Sequence, residues 1–168
     1  MSNFEKNLEQ AINNAKRLTD KILIDGKLIS AQTNNKIPVL NPSTGDNIGS
    51  APQCNKDDVN IAVESAHKAF QKWKKIPARE RGKMVAAGAK RLEERKSEIE
   101  TLLSLDTGNA LRTQAIPETG ASIELTNMFA GLSGELKGEN YPTNIPNSIH
   151  YTTRDPIGVV CAIVPWNA

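Results

Sequence analysis

Cysteine is scarce in this 168-residue chain, with only Cys54 and Cys161, far apart and without CxxC or zinc-ligand spacing. That excludes a disulfide framework and a zinc module, and it fits a reduced, cytoplasmic setting. No charge of one sign dominates: 21 Lys and Arg stand against 19 Asp and Glu, interspersed rather than massed. Nothing there points to nucleic acid or an anionic membrane as partner. No apolar run approaches the length that crosses a bilayer, so no membrane is expected. Glu5, Lys6 and Glu9 stand where a secretory signal needs an apolar h-region, and internal repeats and low-complexity tracts are missing too. What is present, 38% hydrophobic and 24% charged residues, predicts one ordinary domain with a real core and charged helix faces.

Phe4, Leu8, Ala11, Ile12, Ala15 and Leu18 recur at helical spacing and predict an amphipathic first helix. Residues 21–24 and 27–29 flank Asp25 and Gly26, a pair that accepts positive φ at both turn positions, so a tight hairpin follows. Residues 37–40 read as a short strand closed by the turn segment Asn41, Pro42, Ser43, Thr44 and Gly45. Asn55 is placed to cap a helix whose first turn carries Asp57 and Asp58 and whose stripe is Val59, Ala62, Val63, Ala66, Phe70 and Trp73. Pro77 suits the first position of a second helix with Met84, Val85, Ala89 and Leu92 inward. Ser97 with Glu100 resembles a capping box, restarting a helix that Gly108 ends. A fourth helix opens near Pro117 and is expected to bury Ala121, Leu125, Met128, Phe129 and Leu132.

After Gly138 the character changes. Residues 140–147 hold two prolines and residues 148–155 alternate, which together suggest a projecting two-stranded arm around Pro146 and Asn147. Residues 157–164 are apolar on both faces, the pattern of a strand buried on both sides of a parallel sheet. Such a strand needs a parallel neighbour reached by a crossover, yet four residues remain after Val164. The chain therefore reads as the front piece of a larger α/β protein.

Arg154, Pro156, Gly158, Val159 and Val160 lead to Pro165, Trp166 and Asn167, and this stretch resembles the aldehyde dehydrogenase superfamily. The likeness extends upstream through residues 24–27, 41–45, Ala69 and Phe70 with Trp73, residues 79–81 and residues 105–108, in the family's order. It implies an N-terminal part of a Rossmann-type cofactor-binding domain: residues 1–137 as its helical and β part, 138–156 as an oligomerisation arm, and 157–168 as the first buried strand. It further implies oxidation of an aldehyde to a carboxylic acid with NAD or NADP, in a homo-oligomer.

By the same resemblance Asn167 donates its side-chain amide to the alkoxide formed when a cysteine attacks the aldehyde. Ile163, Val164, Pro165, Trp166 and Asn167 match cofactor-contacting positions, at the carboxyl end of a strand where open α/β sheets bind ligands. A monovalent-cation site matches Val39 and Leu40 by backbone carbonyl and Asp106 by carboxylate. The family's nucleophilic cysteine, general-base glutamate and phosphate-binding glycine segment match nothing in these 168 residues. Cys161, expected inside the apolar strand, is no substitute.

The residues alone support plainer readings. Asn167 would be a loop or cap residue, Trp166 a core or rim aromatic, and Asp106 a turn residue as readily as a ligand. His67 and His150 read as solvated. Gly131, Gly134 and Gly138 follow no strand and so are helix-end glycines. Two expectations result. The first is a segment of an NAD(P)-dependent aldehyde dehydrogenase, without turnover as a lone chain. The second is a non-catalytic product, either a truncated relic or a helical module that pairs with a sister polypeptide.

Overall fold

The structure, a computed structural model, describes residues 3–164. Helix α1 (Asn3–Leu18) buries Ala11 completely and lays its apolar side against a later helix and strand. The side chain of Phe4 is outside what the structure describes. Strands β1 (Lys21–Ile24) and β2 (Lys27–Ser30) form the expected hairpin, with Asp25 at φ 53° and Gly26 at φ 71°. Both central residues lie in the left-handed region, so the turn's twist matches that of the strands.

Strands β3 (Lys36–Leu40) and β4 (Asn47–Pro52) pair antiparallel, with a bulge between Val39 and Leu40. Their turn is held locally: the Ser43 amide donates to Asn41 Oδ1 at 2.9 Å and the Gly45 amide to the Asn41 carbonyl at 2.8 Å. An Asx turn of this kind is the reason the Asn-Pro-Ser-Thr-Gly composition stops a strand.

Helix α2 (Lys56–Trp73) starts as the sequence predicts. Asn55 Oδ1 accepts from the Asp57 and Asp58 amides, both at 2.9 Å, and Asp58 returns the favour to the Asn55 amide at 3.0 Å. The buried Asp58 carboxylate also accepts from the Gln32 amide at 2.9 Å, tying the helix start to the segment after β2. The expected inward stripe is a correction: Val59, Ala62, Val63, Ala66 and Trp73 are exposed and only Phe70 is half-buried. Periodicity marked the apolar face correctly, but little of this chain packs on it.

Helix α3 (Ala78–Glu94) has Pro77 as its cap residue, not its first helical one, and turns Gly82, Val85 and Ala89 inward. Met84 and Leu92, expected beside them, are exposed. Helix α4 (Lys96–Thr107) is capped by Arg95 without a side-chain bond, so the predicted box at Ser97 does not form. Ser97 lies inside the helix, where its carbonyl accepts from the Thr101 hydroxyl at 2.8 Å. Gly108 closes α4 at φ 75°, as expected.

A π-helical turn (Leu111–Ala115) then leads into α5 (Ile116–Gly131), which packs along α3 in the most extensive helix contact of the chain. Here the expected burial is reversed. Thr119, Ile123 and Ala130 are buried, whereas Ala121, Leu125, Met128, Phe129 and Leu132 are exposed, Phe129 at 63%. The reason is steric. A Cβ on Gly82 would stand 2.5 Å from the Ala130 carbonyl oxygen, so α3 and α5 meet closely through small residues and leave the large ones outside.

The arm forms, though briefly. Strand β5 (Asn140–Tyr141) pairs antiparallel with β6 (His150–Tyr151), and the Thr152 amide adds a bond to the Glu139 carbonyl at 2.9 Å. Residues 157–164 are the largest correction. They form no strand, and Ile157 is 95% and Ile163 94% exposed. A run apolar on both faces orders only between two neighbours, and every ladder among the described residues has just two strands. Nor does the expected core assemble: its members are Ala11, Ile48, Ala89, Ala115, Ile123 and Ala130, with no large side chain fully buried among the described residues.

Candidate functional site

Two motifs distant in sequence meet at the end of α4. A Cβ added to Gly108 would lie 3.0 Å from Pro42 Cγ, so the turn after β3 rests on the residue that ends the helix. Only glycine combines the positive φ required there with this close approach. Val39 and Asp106 both line one cavity of about 370 Å³, walled also by α1 and α4 through Leu18, Ile99 and Leu103 and by β4 through Ile48 and Ser50.

Asp106 sits in the last turn of α4, which carries no basic residue, and it has no hydrogen-bond or ion-pair partner among the described residues. A carboxylate there faces the negative end of the helix dipole, a mildly unfavourable placement. Capping falls to its neighbours instead. The Gly108 amide donates to the Ser104 carbonyl at 3.0 Å, the Asn109 amide to Thr107 Oγ1 at 3.1 Å, and Ser104 Oγ to the Asn109 carbonyl at 2.7 Å. The Asp106 side chain therefore caps nothing, and its exposed place before Gly108 is also that of a plain turn residue. Leu40 is not among the cavity's walls and its side chain is exposed. Among the described residues, no group of three or more His, Cys, Asp or Glu side chains is arranged to hold a metal.

Helices α1 and α4 are joined by an ionic tie. Glu98 accepts from Arg95 Nε and Nη2 at 3.0 and 2.6 Å and from Asn14 Nδ2 at 2.6 Å, joining α4 to α1. The Arg95 hydrogen bonds hold the Glu98 carboxyl below its ordinary value of 4.5, against the opposing effect of burial. Asp20, at the turn between α1 and β1, is lowered likewise by Lys36 first and then Ser50.

The remaining predicted site residues divide. Ile163 and Val164 are exposed, and Pro165, Trp166 and Asn167 lie outside the described residues. Cys161 is exposed rather than buried, a second departure that follows from the unformed strand. The start of the same run leans on α2, where Ile157 and Val159 line a cleft of about 490 Å³ with Val63, His67 and Phe70. His67 lies 3.1 Å from Gln71 Nε2 on the exposed side of its helix. Sequence reasoning missed the Pro42–Gly108 contact and the role of Asp58. Acidic residues one turn after a capping asparagine signalled the second but not the first.

The aldehyde dehydrogenase family model matches residues 28–168. The chain belongs to the aldehyde dehydrogenase family. It is 35% identical over 158 residues to a phenylacetaldehyde dehydrogenase of Pseudomonas fluorescens, covering 90% of this chain and 32% of that one. It is 38% identical to an aldehyde dehydrogenase of Talaromyces stipitatus, covering 93% and 30%. Among solved structures, a betaine aldehyde dehydrogenase double mutant from Staphylococcus aureus, in complex with NAD+, superposes with a TM-score of 0.87 at 29% identity over 95% of this chain. An NADP-dependent enzyme of E. coli superposes at 0.85 with 27% identity. These give the chain its α/β class. The chain spans about a third of the length of the relatives it matches. No helix among the described residues is long and apolar enough to cross a membrane.

Proposed function

We propose that this chain is the amino-terminal part of an NAD(P)-dependent aldehyde dehydrogenase, supplying the oxyanion donor and one wall of the cofactor cleft. The family match across residues 28–168, which runs through the Pro165–Trp166–Asn167 motif, carries this reading. Asn167 donates a side-chain N–H to the oxygen that gains charge when the aldehyde carbonyl is attacked. A fixed donor costs no reorganisation at that moment, and its loss lowers kcat by about 10²- to 10³-fold. The attacking thiolate and the base that activates water come from outside these 168 residues, so the lone chain does not turn over.

The dinucleotide, when bound, accepts hydride from the aldehyde carbon. Ile163 and Val164 stand at the end of the apolar run, the position at which an open α/β sheet would present backbone and side chain to a ligand. Pro165, Trp166 and Asn167 continue this wall in the family pattern. A monovalent cation belongs at the Asp106 cavity, with the carbonyls of Val39 and Leu40. The support is the shared cavity of Val39 and Asp106 and the unpaired carboxylate. One carboxylate with neutral oxygens suits a singly charged ion better than calcium, which gathers several carboxylates. The arm of β5 and β6 pairs with another subunit of a cytoplasmic homo-oligomer, a role its open strand edges support.

The test uses an enzyme that contains this segment. Asn167→Ala is expected to lower kcat about 100-fold or more with KM little changed, read as NADH or NADPH formation from an aldehyde panel. An unaltered kcat removes the oxyanion role. Turnover by the purified 168-residue chain removes the claim that it is catalytically incomplete. The exposed faces of α2 and α5 favour a second reading, a module that pairs with a sister polypeptide.

A further inference from the structure

The cavity of about 370 Å³ that Val39 and Asp106 share is uneven in its chemistry. Ala15, Leu18, Ile48, Ile99 and Leu103 make apolar walls, and the exposed Asp106 is the only charged residue among the described ones that line it. Its volume falls among those of small-molecule sites, about 300–1,000 Å³, which are mostly apolar with a few placed polar groups. The wall from α1 lies outside the family match: Ala15, Leu18 and Thr19 precede residue 28, where that match begins.

Charge decides what such a site accepts. Asp106 stands in the last turn of α4, where no basic residue answers either the carboxylate or the negative end of the helix. The two wall hydroxyls commit their protons inside the chain, Thr19 Oγ1 to the Ala15 carbonyl at 3.2 Å and Ser50 Oγ to Asp20 Oδ1 at 2.6 Å. A ligand that needs donors, a carboxylate above all, meets an anion and acceptors instead. A bare inorganic cation matches the Asp106 end and makes no use of the apolar walls. One positive charge carried on an apolar chain matches both.

We propose that this cavity binds an amphipathic monocation, an alkylammonium whose chain lies between α1, α4 and β4 and whose charged head meets the Asp106 carboxylate. The inference rests on the reading above that a single positive charge belongs at Asp106, and it names an organic class of ligand for that charge. Most of the affinity comes from the chain, since each buried methylene tightens binding about fourfold. The exposed ion pair adds no more than about fivefold and supplies the preference for a cation.

The experiment titrates the purified, isotope-labelled 168-residue chain with butyl-, hexyl- and octylammonium chloride, followed by amide chemical shifts. Shifts are expected at Leu18, Ile48, Leu103 and Asp106, with the dissociation constant falling about fourfold per methylene. Hexanol should bind the same residues about fivefold more weakly, and hexanoate more weakly still. Asp106→Asn should bring the affinity for hexylammonium down to that for hexanol. Ala15→Phe, which fills the cavity from α1, should abolish the binding of both while the helical circular dichroism persists. An apolar dye reports the exposed outer face of α5, and its fluorescence should not fall during the titration.

Shifts confined to α5 overturn the proposal, as does an affinity for hexanoate equal to that for hexylammonium. So does an affinity that neither variant alters. Potassium chloride separates the two ligands of the carboxylate. Potassium that shifts Asp106 where hexylammonium does not removes the organic ligand and leaves the inorganic cation in place. Hexylammonium binding that needs Asp106, and that potassium weakens no more than magnesium chloride of equal ionic strength, supports the organic ligand and removes the inorganic one. Direct competition between potassium and hexylammonium supports both.

Discussion

Helix α5 has two unlike sides. Its inner side meets α3 through Thr119, Ile123 and Ala130, close enough that Gly82 admits no side chain. Its outer side presents Leu125, Met128 and Phe129 to solvent. In ordinary helices the large apolar residues face the core and the small ones lie where they fall. Here small residues make the close seam with α3, while the large ones face solvent. Residues 157–164 repeat the lesson in extended form. Stability of the lone chain therefore resides in the seam, and its unused apolar surface resides in the outer face and the final run.

That contrast can be broken most forcefully from inside. Ile123→Ala should cost about 2–4 kcal/mol, and Gly82→Val a further loss of about 1–3 kcal/mol if measured alone, by urea titration of the helical signal. Equal tolerance at Ile123 and Leu125 would erase the distinction between the two sides. Asp58→Ala removes a cap and the tie to Gln32, and should cost about 1–2 kcal/mol. Its effect should appear as loss of α2 protection in hydrogen exchange while α3 and α5 are unchanged.

Thr119→Val should raise stability by about 1 kcal/mol, because the Thr119 hydroxyl is buried without a hydrogen-bond partner. A loss instead would mean that the hydroxyl has a partner in solution. On the outer face, Phe129→Glu should shift lone-chain stability by no more than about 0.5 kcal/mol while lowering dye binding.

The smallest expected effect is on pH dependence. Glu98 is held below its ordinary value by Arg95, so its contribution to folding is present above the unfolded value of 4.5 and is lost as pH falls through the folded value. The Glu98 side chain is 12% exposed, so the tie is partly shielded from solvent. Glu98→Gln should flatten the stability profile below pH 4.5 and leave its slope above that unchanged. An unchanged acid slope would show that the Asn14–Glu98–Arg95 tie does not form in solution.

Local chemistry was legible in the sequence wherever it is decided within a few residues. The Asp25–Gly26 turn, the Asn55 cap, the Gly108 stop and the arm around Asn147 all need only neighbours, and all formed. Burial was not legible. The stripes of α2 and α5 were identified as apolar correctly, but which partner covers an apolar stripe depends on chain elsewhere. Ser97 failed for a different reason: Arg95 and Glu98 begin the helix two residues earlier through a charged pair that no capping pattern encodes. Of the candidate site, the meeting of Val39 with Asp106 followed from family resemblance. The Pro42–Gly108 contact beneath it is tertiary and left no local trace.

Residue-resolved hydrogen exchange on the purified 168-residue chain tests the central claim most directly. The amides of residues 157–164 should exchange at the rate of an unstructured peptide, while those of α3 and α5 along the seam are the slowest in the chain. Protection of residues 157–164 equal to that of α3 and α5 would show that the final run is already covered, and would contradict the account.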